Sequence, residues 1–515
     1  MSIPITGVPS TFRVPGGYAE LLFAQGPATA NAGVRTVILA MPMSSAGTWT
    51  VNTVYEARNE GNVRDGAGVG SPLHRAVRKF LENNKTAKLY CLPYAASSGA
   101  GVATASGTIT LVNAATGSGV VTATICGEEC SAAFVSGDSI TAIGDALEAS
   151  INAKDWLPCT ASNAAGTITL TARIAGKSQG DGTLPTIRYR VAITSGIGTT
   201  ATAAGAALGI GATAGADGAT TEATNHSTAL AVINAARYYW IGCSVQHTTE
   251  IGQVETHIAN KSEPRPGLRS SGVVAHNHTI AATQTLANAR NYERLRIVWQ
   301  KNSEHDPAEL VGNALAVLQK RYETDPTANL DGYRGSDWNI KPAYSQADWP
   351  DTDDQNDAIN DGILAIASDQ SGSYIVMDCT TRSKNAAGTV DDFRATEGHR
   401  VYGADVVVDR MLARFALQYG NKKLKSDETL SDGSVNANQK LPPNTVTPST
   451  FKPWIKQELQ RAADEAILQE VESSKESLRV ERDTGNGGRL ACGMDLHVID
   501  LLHQATFRFA EVSSG

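Results

Sequence analysis

The first twenty residues, MSIPITGVPSTFRVPGGYAE, carry Pro4, Pro9 and Pro15 and cannot form a helix. Each proline removes a backbone donor and holds its neighbour extended, so the stretch can only be an edge strand or a docked segment. Such an arm builds no core of its own. It must find its partner elsewhere, which points to a protein that works by joining copies of itself.

A strand, helix, strand unit follows. Val34 to Met41 (VRTVILAM) is a β-branched apolar run of the kind buried on both faces. Ser71 and Pro72 supply an N-cap and a first-position proline for a helix reaching about Asn84, with Leu73, Val77, Phe80 and Leu81 inward. Lys88 to Pro93 is the next strand, and this order implies a parallel crossover.

At about Ala95 the composition turns to Ala, Gly, Thr and Ser, with short alternating strands, until about residue 225. The pentapeptide GTITL occurs twice there, at Gly107 to Leu111 and Gly166 to Leu170, and between them Asp138 is expected to cap a helix bearing Ile140, Ile143, Leu147 and Ile151. The far end, residues 199–224, is poor in bulky apolar residues and is predicted to be a flexible return linker or exposed loop. Strand and helix alternation then resumes. Strands are expected at Tyr238 to Val245, at SGVVAHN, at Arg294 to Trp299 and at Ser373 to Cys379; helices are expected around Glu250 to Lys261, after Asp306-Pro307, and at Ala358 to Ile366. A helix ending near Gly420 and an amphipathic helix from Pro453 to Glu476 come next, before the closing strands LRVER, LACGMDLHVID and ATFRFAEV.

The expected fold class is therefore α/β and α+β multidomain. An arm at 1–20 precedes a discontinuous α/β core domain at 21–94 and 226–385, split by an inserted mostly-β domain at 95–225. A C-terminal α+β assembly domain occupies 386–504 and a second arm 505–515. A chain of 515 residues, 41% of them hydrophobic, is large enough for several such cores.

The net charge of −8, with Lys and Arg scattered, argues against a nucleic-acid surface, and no run is long and apolar enough for membrane insertion or an export signal. Seven dispersed cysteines suit reduced thiols better than a disulfide framework, and the close pair Cys126 and Cys130 has no neighbours to complete a zinc set. GKSQG spells a nucleophile elbow at Ser178, but a Gly-rich turn and a strand follow it where a helix is needed. GAGVGS (Gly66 to Ser71) leads into a helix yet lacks dinucleotide and Walker spacing. DTDDQND (Asp351 to Asp357) fails the calcium-loop pattern at Asn356 and Gly362. His276 and His278 share a strand face without a nameable third ligand. No catalytic constellation, metal or cofactor is expected.

The opening IPITGVPSTFRVPGGYAEL, GVGSPLHRAVRKF followed by AKLYCLP, the series GTITL, GDSITAIGDALEASINA, LPCTAS and GTITLTAR, and MDCTTRS leading to GHRVYGADVVVDRM together resemble the contractile tail sheath proteins of Mu-type phages. The acidic SQADWPDTDDQND segment and short C-terminal details depart from that pattern. The resemblance implies a non-enzymatic virion tail protein, assembled in the host cytoplasm. Subunits would form six-membered rings stacked helically around an inner tube, held ready for contraction, with baseplate and tail terminator proteins as further partners and no nucleic acid contact. It also implies arms that add strands to a neighbour's sheet, and an outward-facing insert. The expected intersubunit residues are Ile3, Ile5, Val8, Phe12 and Val14 of the first arm, and Leu496, Val498, Phe507, Phe509 and Val512 near the chain end. Lys456 and Arg461, on the charged face of the 453–476 helix, are candidates for facing the tube. A host-binding adhesin, or a hydrolase with an added β domain, is the alternative.

Overall fold

Seven successive residues, Val37–Met43 (β1), are buried in the computed structural model, as a strand covered on both faces must be. The structure describes residues 35–194, 199–265, 267–385, 387–436 and 438–503. The architecture is mixed α/β, with eleven α-helices among the described residues, which form two compact units: 35–325 with 332–398, and 326–331 with 399–503.

In the first unit β2 (Tyr55–Glu56) leads to α1 (Glu60–Ala67) and α2 (Pro72–Asn83). Ser71 caps α2 by accepting from the His74 amide at 3.3 Å, with Pro72 opening the first turn, as its sequence predicts. Leu73, Val77 and Phe80 are buried; Leu81 is only half-buried, and α2 buries His74 and Arg75 as well. β3 (Leu89–Ala95) runs parallel to β1.

The chain then builds β4 (Ser106–Val112), β5 (Gly119–Ile125), β6 (Glu128–Phe134), α3 (Ile140–Asn152), β7 (Cys159–Ala164), β8 (Thr167–Ala172), β9 (Tyr189–Thr194) and β10 (Thr200–Ala203). These strands make two antiparallel sheets, β10-β4-β8-β7 and β6-β5-β9. The two GTITL copies pair with each other: Gly107 lies opposite Leu170 and Ile109 opposite Ile168. Alternation sends Ile109, Leu111, Ile168 and Leu170 into one core with Ile143, Leu147 and Ile151 of α3. The α3 cap is Ser139 rather than Asp138, whose carboxylate accepts instead from the Val135 amide at 2.8 Å. The described part of 199–224 is not a loose linker. Besides β10, it bridges back at Ala207 to Arg188, at Ala216 to Ala103 and at Thr220 to Ser98, because small residues let its backbone lie against other backbone.

α4 (Glu222–Val232), β11 (Trp240–Gly242), α5 (Thr248–Ser262), β12 (Ser271–His276), α6 (Ile280–Arg290), β13 (Leu295–Trp299), α7 (Pro307–Thr324), α8 (Thr352–Asn360), β14 (Leu364–Asp369) and β15 (Gly372–Ile375) complete the unit. The large sheet has the order β15-β14-β13-β12-β11-β1-β3-β2, parallel except at its two edge strands. Only three residues of the expected 238–245 strand pair. The helix expected to reach Ile366 stops at Asn360, and its apolar tail belongs to buried β14, where two-face burial had hidden the strand period. Of the expected strand 373–379 its start pairs antiparallel to β14, and at its end Cys379 makes an isolated bridge to Glu397.

In the second unit, α9 (Gly398–Tyr419) is followed by the short parallel pair β16 (Lys423–Leu424) and β17 (Thr445–Val446), then α10 (Pro448–Asp464), α11 (Val471–Ser477) and the antiparallel pair β18 (Arg479–Arg482) and β19 (Leu490–Gly493). The 453–476 helix is thus corrected to two. Thr447 and Thr450 form a reciprocal capping box and Pro448 sits in the first turn, so α10 starts before Pro453. It ends because Ala466 and Glu470 take left-handed backbone, which an α-helix cannot contain. The apolar stripe runs on through Ile467 and conceals this break.

α2 and α7 approach closely at Gly312, where an added Cβ would overlap the Ala76 carbonyl oxygen. Gly312→Ala should therefore lower stability by about 1–3 kcal/mol despite its higher helix propensity. A lower urea midpoint at unchanged m-value is the expected result.

Candidate assembly surface

The described residues of the surface expected from sequence, Lys456, Arg461, Leu496 and Val498, lie in the second unit. Its α9 and α10 are joined by charge and by aromatic packing. Glu458, 2% exposed, receives hydrogen bonds from Arg414 at 2.6 and 2.9 Å and from Arg461 at 2.7 Å, with Arg410 Nε 3.8 Å away. Arg410 also forks onto Glu465 with two bonds of 2.9 Å. Phe415 and Tyr419 of α9 meet Phe451 and Trp454 of α10 with ring centroids 4.8–6.0 Å apart. Lys422 sits 4.8 Å above the Tyr419 ring.

Arg461 therefore stands within an internal network, half-exposed, and its charge is already matched by Glu458. Lys456 differs: it has no ion-pair partner among the described residues, and the same holds for Lys452 one turn earlier. The spacing of four residues sets these two cations side by side on one face. Lys452 was not singled out from sequence. Its signal was the i, i+4 repeat beside Lys456, which a helix thought to begin at Pro453 leaves out.

Leu496 and Val498 face inward. Val498 bridges Leu468, the Gln469 amide donates to His497 O at 3.0 Å, and the Ile499 amide donates to Ile467 O at 3.2 Å, so both side chains are covered by their own unit. The other expected interface residues, Ile3, Ile5, Val8, Phe12, Val14, Phe507, Phe509 and Val512, lie outside the described residues. Among the described residues β18–β19 is a two-stranded sheet, so each strand has an unpaired edge. Such a pair is marginal alone and accepts further strands. The second half of α9 also leaves Leu417 86% exposed beside exposed Ala413 and Ala416.

The motifs set aside from sequence are occupied by structural duties. Ser178 lies in a buried 3₁₀ turn, accepting from Gln179 Nε2 at 3.3 Å. In GAGVGS the Gly70 amide donates to His74 Nδ1 at 3.1 Å. Asp351 caps α8 through the Asp354 amide at 2.8 Å. His276 bonds Thr283 Oγ1 at 2.8 Å, and burial pushes its imidazole down to about 4. Cys126 and Cys130 are both buried free thiols. Among the described residues no group of three or more His, Cys, Asp or Glu side chains is arranged to hold a metal ion, and no helix is long and apolar enough to cross a membrane. Beyond the ends of β11 and β12, where open α/β sheets hold ligands, Gln246 and Asn277 are buried. Gln246 donates to Thr186 of the small-sheet segment at 2.8 Å and accepts from the Asn277 amide at 2.9 Å.

The Mu-like prophage FluMu tail sheath protein of Haemophilus influenzae is 30% identical to this chain over 182 residues. This chain has a homologue among the Mu-like prophage tail sheath proteins. The match covers 35% of this chain and 36% of that relative, about a third of each. No protein-family model matches. Among solved structures, a sheath tail protein of Desulfitobacterium hafniense is 14% identical with a TM-score of 0.44, covering 94% of this chain and all of that one. One from Listeria innocua is 12% identical with a TM-score of 0.46 over 92% and 94%. The contracted helical sheath of the anti-feeding prophage is 10% identical with a TM-score of 0.46 over 97% and 99%. With TM-scores below 0.5, these three likenesses decide neither fold nor function.

Glu458→Ala should destabilise the protein by roughly 3 kcal/mol, since it leaves the partly buried Arg414 without its carboxylate and Arg410 with Glu465 alone. Arg461→Ala, at the half-exposed rim, should cost about 0.5 kcal/mol or less. Denaturant unfolding of the two variants beside the parent checks the contrast.

Proposed function

We propose that this chain is the structural subunit of a contractile tail sheath. The observation that carries the reading is the 182-residue similarity to a Mu-like prophage tail sheath protein. The role is mechanical and non-enzymatic. Subunits form six-membered rings stacked into a helical tube around an inner tail tube, with baseplate and terminator proteins at its ends, and contraction drives the tube through the host envelope. The sheath is part of the virion tail and assembles in the host cytoplasm.

The arms, Ile3 to Val14 and Ala505 to Val512, add strands to neighbouring subunits. The two edges of β18–β19 that no other described strand pairs support this reading, because an extended arm gains backbone hydrogen bonds only where an edge is open. Contacts of this heterologous kind generate helical filaments when they do not close. About five such bonds at ~1 kcal/mol each would hold a junction by ~5 kcal/mol, enough to keep subunits linked while their domain faces slide. Segment 95–225 faces outward, and residues 386–504 carry assembly. Lys456, joined by Lys452, faces the tube; Arg461 serves it only indirectly, by fixing Glu458.

Negative-stain electron microscopy should show hollow tubes from the full chain and none from a variant lacking residues 1–15. Small uniform particles from both would overturn the sheath reading. Lys452→Glu with Lys456→Glu should weaken binding to the tube protein roughly tenfold at low salt and flatten its salt dependence; unchanged binding in a sedimentation assay would remove the tube contact from α10.

A further inference from the structure

Two carboxylates meet one ammonium, with a third, buried carboxylate close by, where the small-sheet segment meets the helices of the large sheet. Lys177, in the 3₁₀ turn, lies 3.3 Å from Glu250 of α5 and 3.5 Å from Asp217. Glu222, in the first turn of α4, takes a 3.3 Å hydrogen bond from the Tyr94 hydroxyl of β3, with Ser178 as a further polar neighbour. Glu222 and Glu250 are each 2% exposed. The turn rests directly on this cluster: a Cβ on Gly176 would stand 3.3 Å from Asp217 Oδ1 and 3.8 Å from Glu222 Oε2. Glu250 Oε2 and Asp217 Oδ1 are buried without a hydrogen-bond partner.

The surrounding titratable groups do not balance the charge. His247 faces Asp181 at 3.9 Å and also feels Lys177, and burial together with that ammonium pushes its imidazole down, toward the neutral form. His226, on α4 beside the Tyr94 ring, is likewise pushed down by burial. With all three carboxylates ionised, three negative charges, two of them on residues only 2% exposed, stand beside a single ammonium, a costly arrangement.

We infer that this junction is a proton-gated latch, closed when Glu222 is protonated and loosened when Glu222 ionises against Glu250 and Asp217. Burial, and then Glu250 and Asp217, push the Glu222 carboxyl up to about 7 against the opposing polar influence of Ser178 and Tyr94. Because the folded value lies above the ordinary carboxyl value, the stabilisation is fully present below about 4.5, declines as pH rises to about 7, and is flat beyond. One retained proton corresponds to an opening equilibrium that grows up to ~tenfold per pH unit across that window. The latch stands independently of the sheath reading.

Hydrogen exchange on the full chain, corrected for intrinsic rates, tests it. Residues 176–180 and 213–222 should open progressively, up to ~tenfold per unit, between about pH 5 and 7, while Glu222→Gln holds the acid-side protection through pH 8. A flat profile in the parent, or the same profile in the variant, overturns the latch. An independent readout is the infrared band of a protonated carboxyl at pH 6, expected in the parent and lost in Glu222→Gln; its absence from the parent also overturns it. Lys177→Met should move the opening window to higher pH, and an unmoved window would take Lys177 out of the device.

Discussion

Arg75 is the charge around which the first unit closes. It is 1% exposed on α2, ion-paired to Asp306 at the cap of α7 and 3.3 Å from Glu309 in its first turn, and it reaches Cys126 in the β5–β6 turn. Burial works against its charge, but the two carboxylates outweigh burial and hold the guanidinium above its usual range. The network continues through His305, bonded to Glu309 at 2.7 Å and to the Lys341 amide at 3.0 Å, and Lys341 Nζ donates to Gly127 O at 2.5 Å. A buried guanidinium of this kind is stable only with every partner in place. The close α2–α7 packing at Gly312 and the seating of the small-sheet turn are therefore parts of one condition.

Around that centre the small-sheet segment is held to the large sheet by several polar contacts. Arg190 pairs with Glu304, Arg188 bonds Asn302, and Gln246 bonds Thr186. Polar contacts are directional and need their geometry intact, unlike an apolar seam that can slip. One charged junction, at Lys177, has unmatched negative charge, which is why it is the place where protonation changes the balance. In the second unit a carboxylate again organises the packing: Glu458 gathers three arginines, while Lys452 and Lys456 of α10 have no ion-pair partner among the described residues.

Much of this was legible in the residues. Ser71-Pro72 and Asp306-Pro307 marked their helix starts, because capping chemistry is local and uses side chains within three residues. β1, β12 and β13 were marked by β-branched apolar runs. The doubled GTITL announced two strands, though not that they are neighbours. The failures share one cause. Residues 199–224 look like a linker because small side chains carry little hydrophobic signal, yet those side chains are what allow backbone to pair there. Apolar residues 363–366 fitted a helix because burial on both faces erases the strand period. The amphipathic stripe of α10 ran through a break that only two left-handed residues reveal.

By itself the sequence determined the mixed α/β class and the order of most elements, since each of these depends on neighbouring residues and their periodicity. Only the tertiary structure decided which charges are spent internally and which remain available. Arg461 and Lys456 have equal standing in the sequence, but Glu458 lies within reach of one and not of the other. The same holds for Glu222: its raised carboxyl comes from burial and from Glu250 and Asp217, against the Tyr94 hydroxyl, residues drawn together from across the unit. Ionisation depends on burial and on distant neighbours, and neither can be read along a chain.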